Sequence, residues 1–174
     1  MVPITGENLS SWVDVMCELI PRFTQGFESQ FGYPPGENAL VGATPGAESE
    51  GKASLVAAGV SGDLLSFYEQ VERLSLPDLD SGFFIHSAVE VVNGDQPTIL
   101  AGDVNDSIVV FGSDGGGGLF ALGATQGNVY SLSGGSLIGD TYETGRHGAK
   151  IISRDLWGFL ESLRGELTNS IAHR

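Results

Sequence analysis

Apolar residues near the start of the chain recur at helical spacing. Trp12, Val15, Met16, Leu19, Ile20 and Phe23 stand three and four apart, which predicts a helix over Ser11–Thr24 with one buried stripe. Ser11 followed by Asp14 has the spacing of a capping box. Cys17 lies beside the stripe and is expected to pack, because no Lys, Arg or His precedes it within a turn to stabilise a thiolate. The pattern fades between Phe31 and Ala58, where Pro34-Pro35-Gly36 and Pro45-Gly46 interrupt it, and a loop or linker is expected. A second helix is predicted over Gly62–Leu74, capped by Ser61, with Leu64, Leu65, Phe67, Tyr68 and Val71 facing the core.

Beyond Leu76 the period shortens. Gly82–Ser87 suits a short strand, Ala88–Asn93 a helical turn, and Gln96–Leu100 an extended segment around Pro97. Ile108–Phe111, Leu119–Leu122 and Val129–Leu132 are short apolar runs separated by glycine-rich stretches, the pattern of an antiparallel meander. Gly112, Gly115, Gly116, Gly117 and Gly118 are assigned to the turn between the first two. Thr141–Glu143 is expected to begin an edge strand. From Arg154 to about Leu167 the periodicity is helical again: Leu156, Phe159, Leu160, Leu163 and Leu167 fall on one stripe, with Ser153 as the expected cap and Trp157 packing at its border. The sum is an α+β protein: an antiparallel or mixed curved sheet with helices at the N- and C-terminal ends packed on it. Residues 1–30 form a helical extension in this reading, 31–59 a loop or linker, and 60–174 the α+β domain.

Composition sharpens two points. Glycine occurs 26 times in 174 residues, about twice the usual ~7%, which agrees with many tight turns. Twenty-two acidic residues against eight basic ones leave a net charge of −14. Such a field repels phosphate backbones and anionic lipids, so neither nucleic acid nor membrane is an expected partner, and it favours approach of a basic one. No run of ~18 apolar residues is present for a membrane span. Met1–Asn8 lacks a secretory pattern, which makes a cytoplasmic location the expectation.

The candidate chemistries thin out on inspection. Gly115–Gly118 is followed by Leu119-Phe120-Ala121-Leu122, with neither the Lys-Ser/Thr nor the helix that a phosphate loop requires. Asp103, Asp106 and Asp114 suggest a calcium loop, but its sixth position would be Ile108, where the sharp turn needs glycine. Ser113 in Phe-Gly-Ser-Asp-Gly is one residue short of a nucleophile elbow, and a strand follows it. His86, His147 and His173 lack metal-ligand spacing, and Asp78 and Asp80 suit a turn better than an acid/base pair. No catalytic residue, metal or cofactor is assigned.

Two blocks carry a resemblance. LSFYEQVERLSLPDLDSGFFIHSAVEVV, over Leu65–Val92, and IVVFGSDGGGGLFALG, over Ile108–Gly123, resemble the helix-then-"lPdl…Gyfih…eeVv" and "i.vfGsdGGGglfal" blocks of the SUKH superfamily of Smi/Knr-like and bacterial immunity proteins. Asp155-Leu156-Trp157-Gly158-Phe159-Leu160 resembles its closing helix. The resemblance implies an α+β domain without catalysis that binds a protein, often a polymorphic toxin such as a nuclease. On that reading Glu90, Asp95, Asp103, Asp106 and Asp114, around the loops bordering the sheet, are the candidate partner contacts. A regulatory or scaffold protein holding a cellular partner is the alternative, and a small-molecule or metal-binding enzyme the second.

Overall fold

A computed structural model describes residues 2–44, 46–60, 62–145 and 148–173; Ser61, the expected cap, and His147 lie outside the described residues. The first helix, α1 (Gly6–Thr24), starts five residues before Ser11. Its cap is Thr5, whose Oγ1 accepts from Asn8 N at 3.2 Å while Asn8 Oδ1 accepts from Thr5 N at 2.8 Å. That reciprocal pair satisfies two otherwise orphaned donors, which the Ser11/Asp14 pairing does not do. Leu9, Trp12, Met16, Leu19, Ile20 and Phe23 are buried. Cys17, one position round from Met16, is exposed, so the packing expected of it is corrected.

The stretch 31–59 is more ordered than its prolines suggest. After α2 (Phe27–Phe31) come β1 (Ala39–Gly42) and α3 (Ala47–Ala57). Asp78 Oδ2 tethers the approach to β1, accepting from Gly36 N at 2.7 Å and Asn38 Nδ2 at 2.6 Å. The second expected helix is also corrected. It divides into α4 (Asp63–Tyr68) and β2 (Val71–Leu76), because β2 is held between β1 and β3 (Phe83–Ile85) by antiparallel pairing. Sheet partners here overrode a helical spacing that continued through Val71.

The remaining elements are α5 (Ala88–Asn93), β4 (Ile99–Ala101), β5 (Asp106–Asp114), β6 (Leu119–Gly123), β7 (Val129–Leu132), β8 (Ser136–Ile138), β9 (Thr141–Glu143), β10 (Ala149–Ser153) and α6 (Leu156–Ala172). β5, β6 and β7 form the expected antiparallel meander. β9 is interior and not an edge: it pairs parallel with β4 and antiparallel with β8, making the sheet mixed. Asp155 caps α6 in place of Ser153, its Oδ1 accepting from Gly158 N at 2.7 Å. All five residues of the expected stripe on α6 are buried, and Trp157 packs at their border.

β5 is the spine of the sheet. Along one edge it pairs with β6 over Ile108–Ser113; along the other it meets β4 at Asp106–Ser107 and β3 at Gly112–Asp114. Val109 and Val110 therefore have a strand on one side only. The side chains alternate between two cores. Val109 and Phe111 join α1, α4 and α6 in the larger core, where Trp12 Nε1 donates to the Leu160 carbonyl at 3.0 Å and binds α1 to α6. Ile108 and Val110 face a second core with Leu100, Ala121, Tyr130, Leu132 and Tyr142. Every member of that second core lies on a strand. The sheet itself curls to cover this face.

The glycine run forms the β5–β6 turn. Asp114 Oδ1 accepts from Gly116 N at 2.8 Å and Gly118 N at 2.7 Å, and Gly117 adopts φ +89°. Gly112 lies within β5 and not in the turn. A Cβ there would strike the Phe84 carbonyl on the neighbouring strand.

Candidate functional site: an apolar cleft with an acidic rim

The helices do not cover the whole of the larger-core face. Beside β5, where β3 and β4 leave Val109 and Val110 without a strand on one side, a cleft of about 700 Å³ opens. Val109 and Leu122 are register partners and line it from the sheet, while Val91 and Val92 of α5, Val60, Leu64 and Leu156 contribute from the helical side. Ile99 also lines it and remains 41% exposed. The volume lies within the ~300–1,000 Å³ typical of binding clefts.

No Lys, Arg or His lines this cleft among the described residues, whereas Asp63 and Asp155 do. Both are anchored by the extended N-terminal segment: Val2 N donates to Asp155 Oδ2 at 3.3 Å and Ile4 N to Asp63 Oδ1 at 3.1 Å. A carboxylate has about four acceptor sites, so each retains capacity for another donor. Asp95 is exposed between two lining residues, Gly94 and Gln96. Asp140, exposed, is bonded to the lining residues Thr98 and Ile99, its carbonyl accepting from Thr98 N at 2.8 Å and Ile99 N at 3.1 Å.

The five expected contact carboxylates thus separate. Asp95 is exposed beside the cleft just after α5, whereas Glu90, exposed on α5 itself, does not line it. Asp103 is exposed on the β4–β5 loop, away from it. Asp106 is buried: it accepts from Thr125 N at 3.1 Å, Thr125 Oγ1 at 2.7 Å and Tyr130 OH at 3.3 Å. Asp114 is half-buried and turned back onto the glycine turn. Both carboxylates are engaged in hydrogen bonds within the fold, Asp106 buried at the start of β5 and Asp114 beside the glycine turn at its end. They also stand at opposite ends of β5, roughly 25 Å apart at ~3.3 Å per residue, too far to share a cation. Asp63, Asp140 and Asp155 were missed. The only sequence signal for Asp63 and Asp155 is a helix start, which says nothing about a shared cleft.

A smaller cavity of about 180 Å³ lies on the far side of α5, lined by Glu37, Arg73, His86 and Glu90 among others. His86 Nε2 and Ser113 Oγ are 3.0 Å apart, a pairing not foreseen from the scattered histidines. Burial lowers the His86 pKa, partly opposed by the charge of Glu90. Glu90 accepts from Ser87 N and Ser87 Oγ at 2.8 Å each, and these bonds hold its carboxyl below the ordinary range. Burial raises the Tyr68 hydroxyl, assisted by the Glu90 charge, and that hydroxyl donates to the His86 carbonyl at 2.6 Å. Acyl transfer needs a third group orienting the imidazole and donors facing the nascent oxyanion. Here Glu90 is committed to capping α5, and Ser113 sits within a strand opposite Phe84. The pair ties β3 to β5.

Fold and site together define a class: an α+β protein whose curled mixed sheet carries an apolar cleft within an acidic surface. No family model matches the chain, and no curated protein matches it.

Proposed function

We propose that this protein is a non-enzymatic, acidic protein-binding domain of the immunity type, which occludes the basic surface of a cognate polymorphic toxin, with a nuclease as the favoured toxin class. The observation carrying this reading is the uncompensated surface charge. The chain bears −14, yet among the described residues only two ion pairs form, Lys52–Glu69 and Arg164–Glu161. Exposed carboxylates such as Glu72, Glu90, Asp95, Asp103 and Asp140 lack an ion pair among the described residues. Such a field accelerates encounter with a basic protein and rejects acidic ones. The likeness of the glycine block to SUKH proteins supports the same reading and adds the toxin as the partner.

Co-expression with toxins encoded beside the gene, followed by pull-down of the toxin domain, tests the proposal. Protection with salt-sensitive capture is the expected result. Absence of both protection and capture with the intact chain overturns it. Capture of a non-toxic cellular partner in place of a toxin establishes the regulatory or scaffold alternative.

A further inference from the structure

We infer that the cleft receives an apolar side chain of the protein partner, presented on a segment with Lys or Arg beside it. This inference rests on the reading of the chain as an acidic protein binder and specifies which part of the surface does the recognising. Binding interfaces place an apolar centre inside a polar rim, because the centre is where water is fully expelled. The cleft has that anatomy. Val91, Val92, Leu122 and Ile99 supply apolar surface, and about 700 Å³ gives room for more than one side chain. The charged side chains of the lining are of one sign: Asp63 and Asp155 line the cleft, with Asp95 emerging between two lining residues and Asp140 bonded through its carbonyl to Ile99. Arg154, exposed beside Asp155, stands outside the lining.

Charge complementarity selects the occupant. An apolar segment carrying a carboxylate would bring it against those aspartates with no lining cation to meet it. An ammonium or guanidinium finds acceptors with unused capacity while its neighbouring side chain is buried. The cleft also contains the stretch of β5 that has a strand on one side only, Val109–Val110, so an extended backbone meets a strand there as well.

The test uses the full chain, labelled with nitrogen-15, and three capped tetrapeptides: Lys-Leu-Phe-Lys, Glu-Leu-Phe-Glu and Lys-Ser-Ser-Lys. The expected result is amide shifts at Val92, Ile99 and Leu122 with Lys-Leu-Phe-Lys, and at least about tenfold weaker binding of each other peptide. The variants Ile99→Lys and Asp95→Lys, both at exposed positions, should each weaken Lys-Leu-Phe-Lys binding while preserving the rest of the amide spectrum. Equal binding of Lys-Ser-Ser-Lys, or shifts scattered over the surface, would mean attraction by charge alone and overturn the inference. Equal binding of Glu-Leu-Phe-Glu would mean an apolar cavity indifferent to charge and also overturn it. With a toxin in hand, undiminished capture by Ile99→Lys overturns the cleft inference and leaves the acidic-binder proposal intact, whereas absent capture by the unaltered chain defeats that proposal itself.

Discussion

Two neighbouring parts of the same sheet face differ only in what lies over them. Phe111 and Phe120 are sealed beneath α6, their rings 5.5 and 5.2 Å from that of Phe159. Val109 and Leu122, on the same two strands and the same face, are half-buried and line the cleft. Strand composition does not separate these pairs. Helix placement does: Leu156, the first residue of α6, borders the cleft, and the helix then runs on over the phenylalanines. The contrast shows how a fold makes a binding surface from residues whose patterning suits a core.

Substitution can break this contrast at its sealed side first. Phe159→Ala should cost about 3–5 kcal/mol, since an aromatic ring in contact with two others leaves a cavity its neighbours cannot fill; urea unfolding would read the loss. Leu122→Ala in the cleft should cost less, about 1–2 kcal/mol, because the side chain has packing partners on one side only. Equal losses by the same measurement would mean that the cleft is closed in solution. Asp155→Ala removes the cap of α6 and the acceptor for Val2 N, and a loss of about 1 kcal/mol is expected, visible as a lowered Tm.

The smallest effect expected concerns pH at the other side of α5. Burial depresses the folded-state pKa of His86 below its unfolded value near 6.5. The unfolded chain therefore takes up the proton first as pH falls. The His86 contribution is whole above pH ~6.5 and is lost as pH drops through the lower folded value. Glu90, also depressed, contributes in the same direction at more acidic pH, fully above the usual carboxylate range and less as pH falls through its folded value. Unfolding titrations of the unaltered chain and His86→Gln should diverge in slope just below pH 6.5, and parallel curves would deny the coupling.

Much of the architecture was legible because its signals are local. The stripe on α6, the alternating runs of β5 to β7 and the glycine turn depend on residues within a few positions of one another. β2 was misread because Val71 prolongs the helical spacing set by Leu64, Phe67 and Tyr68, and only pairing with β1 and β3 decides otherwise. β8 and β10 escaped notice for a related reason: they are short, expose Leu137, Ile138, Ile151 and Ile152, and are defined by their neighbours. Asp95 could be named from its loop and Glu90 from the short helix before it, but Asp63 and Asp155, 92 positions apart in sequence, meet one cleft only after folding.

The sequence by itself determined the α+β class, the terminal helices, the glycine-turned meander and the acidic field, since periodicity, turn stereochemistry and net charge belong to the chain before it folds. Tertiary structure decided which carboxylates face outward. It placed Asp106 under Thr125 and Tyr130, turned Asp114 onto its own turn, and left Asp95 beside an apolar cleft. The reason is physical: burial and hydrogen-bond satisfaction are properties of assembled neighbours, and β5 acquires its neighbours from segments far apart along the chain.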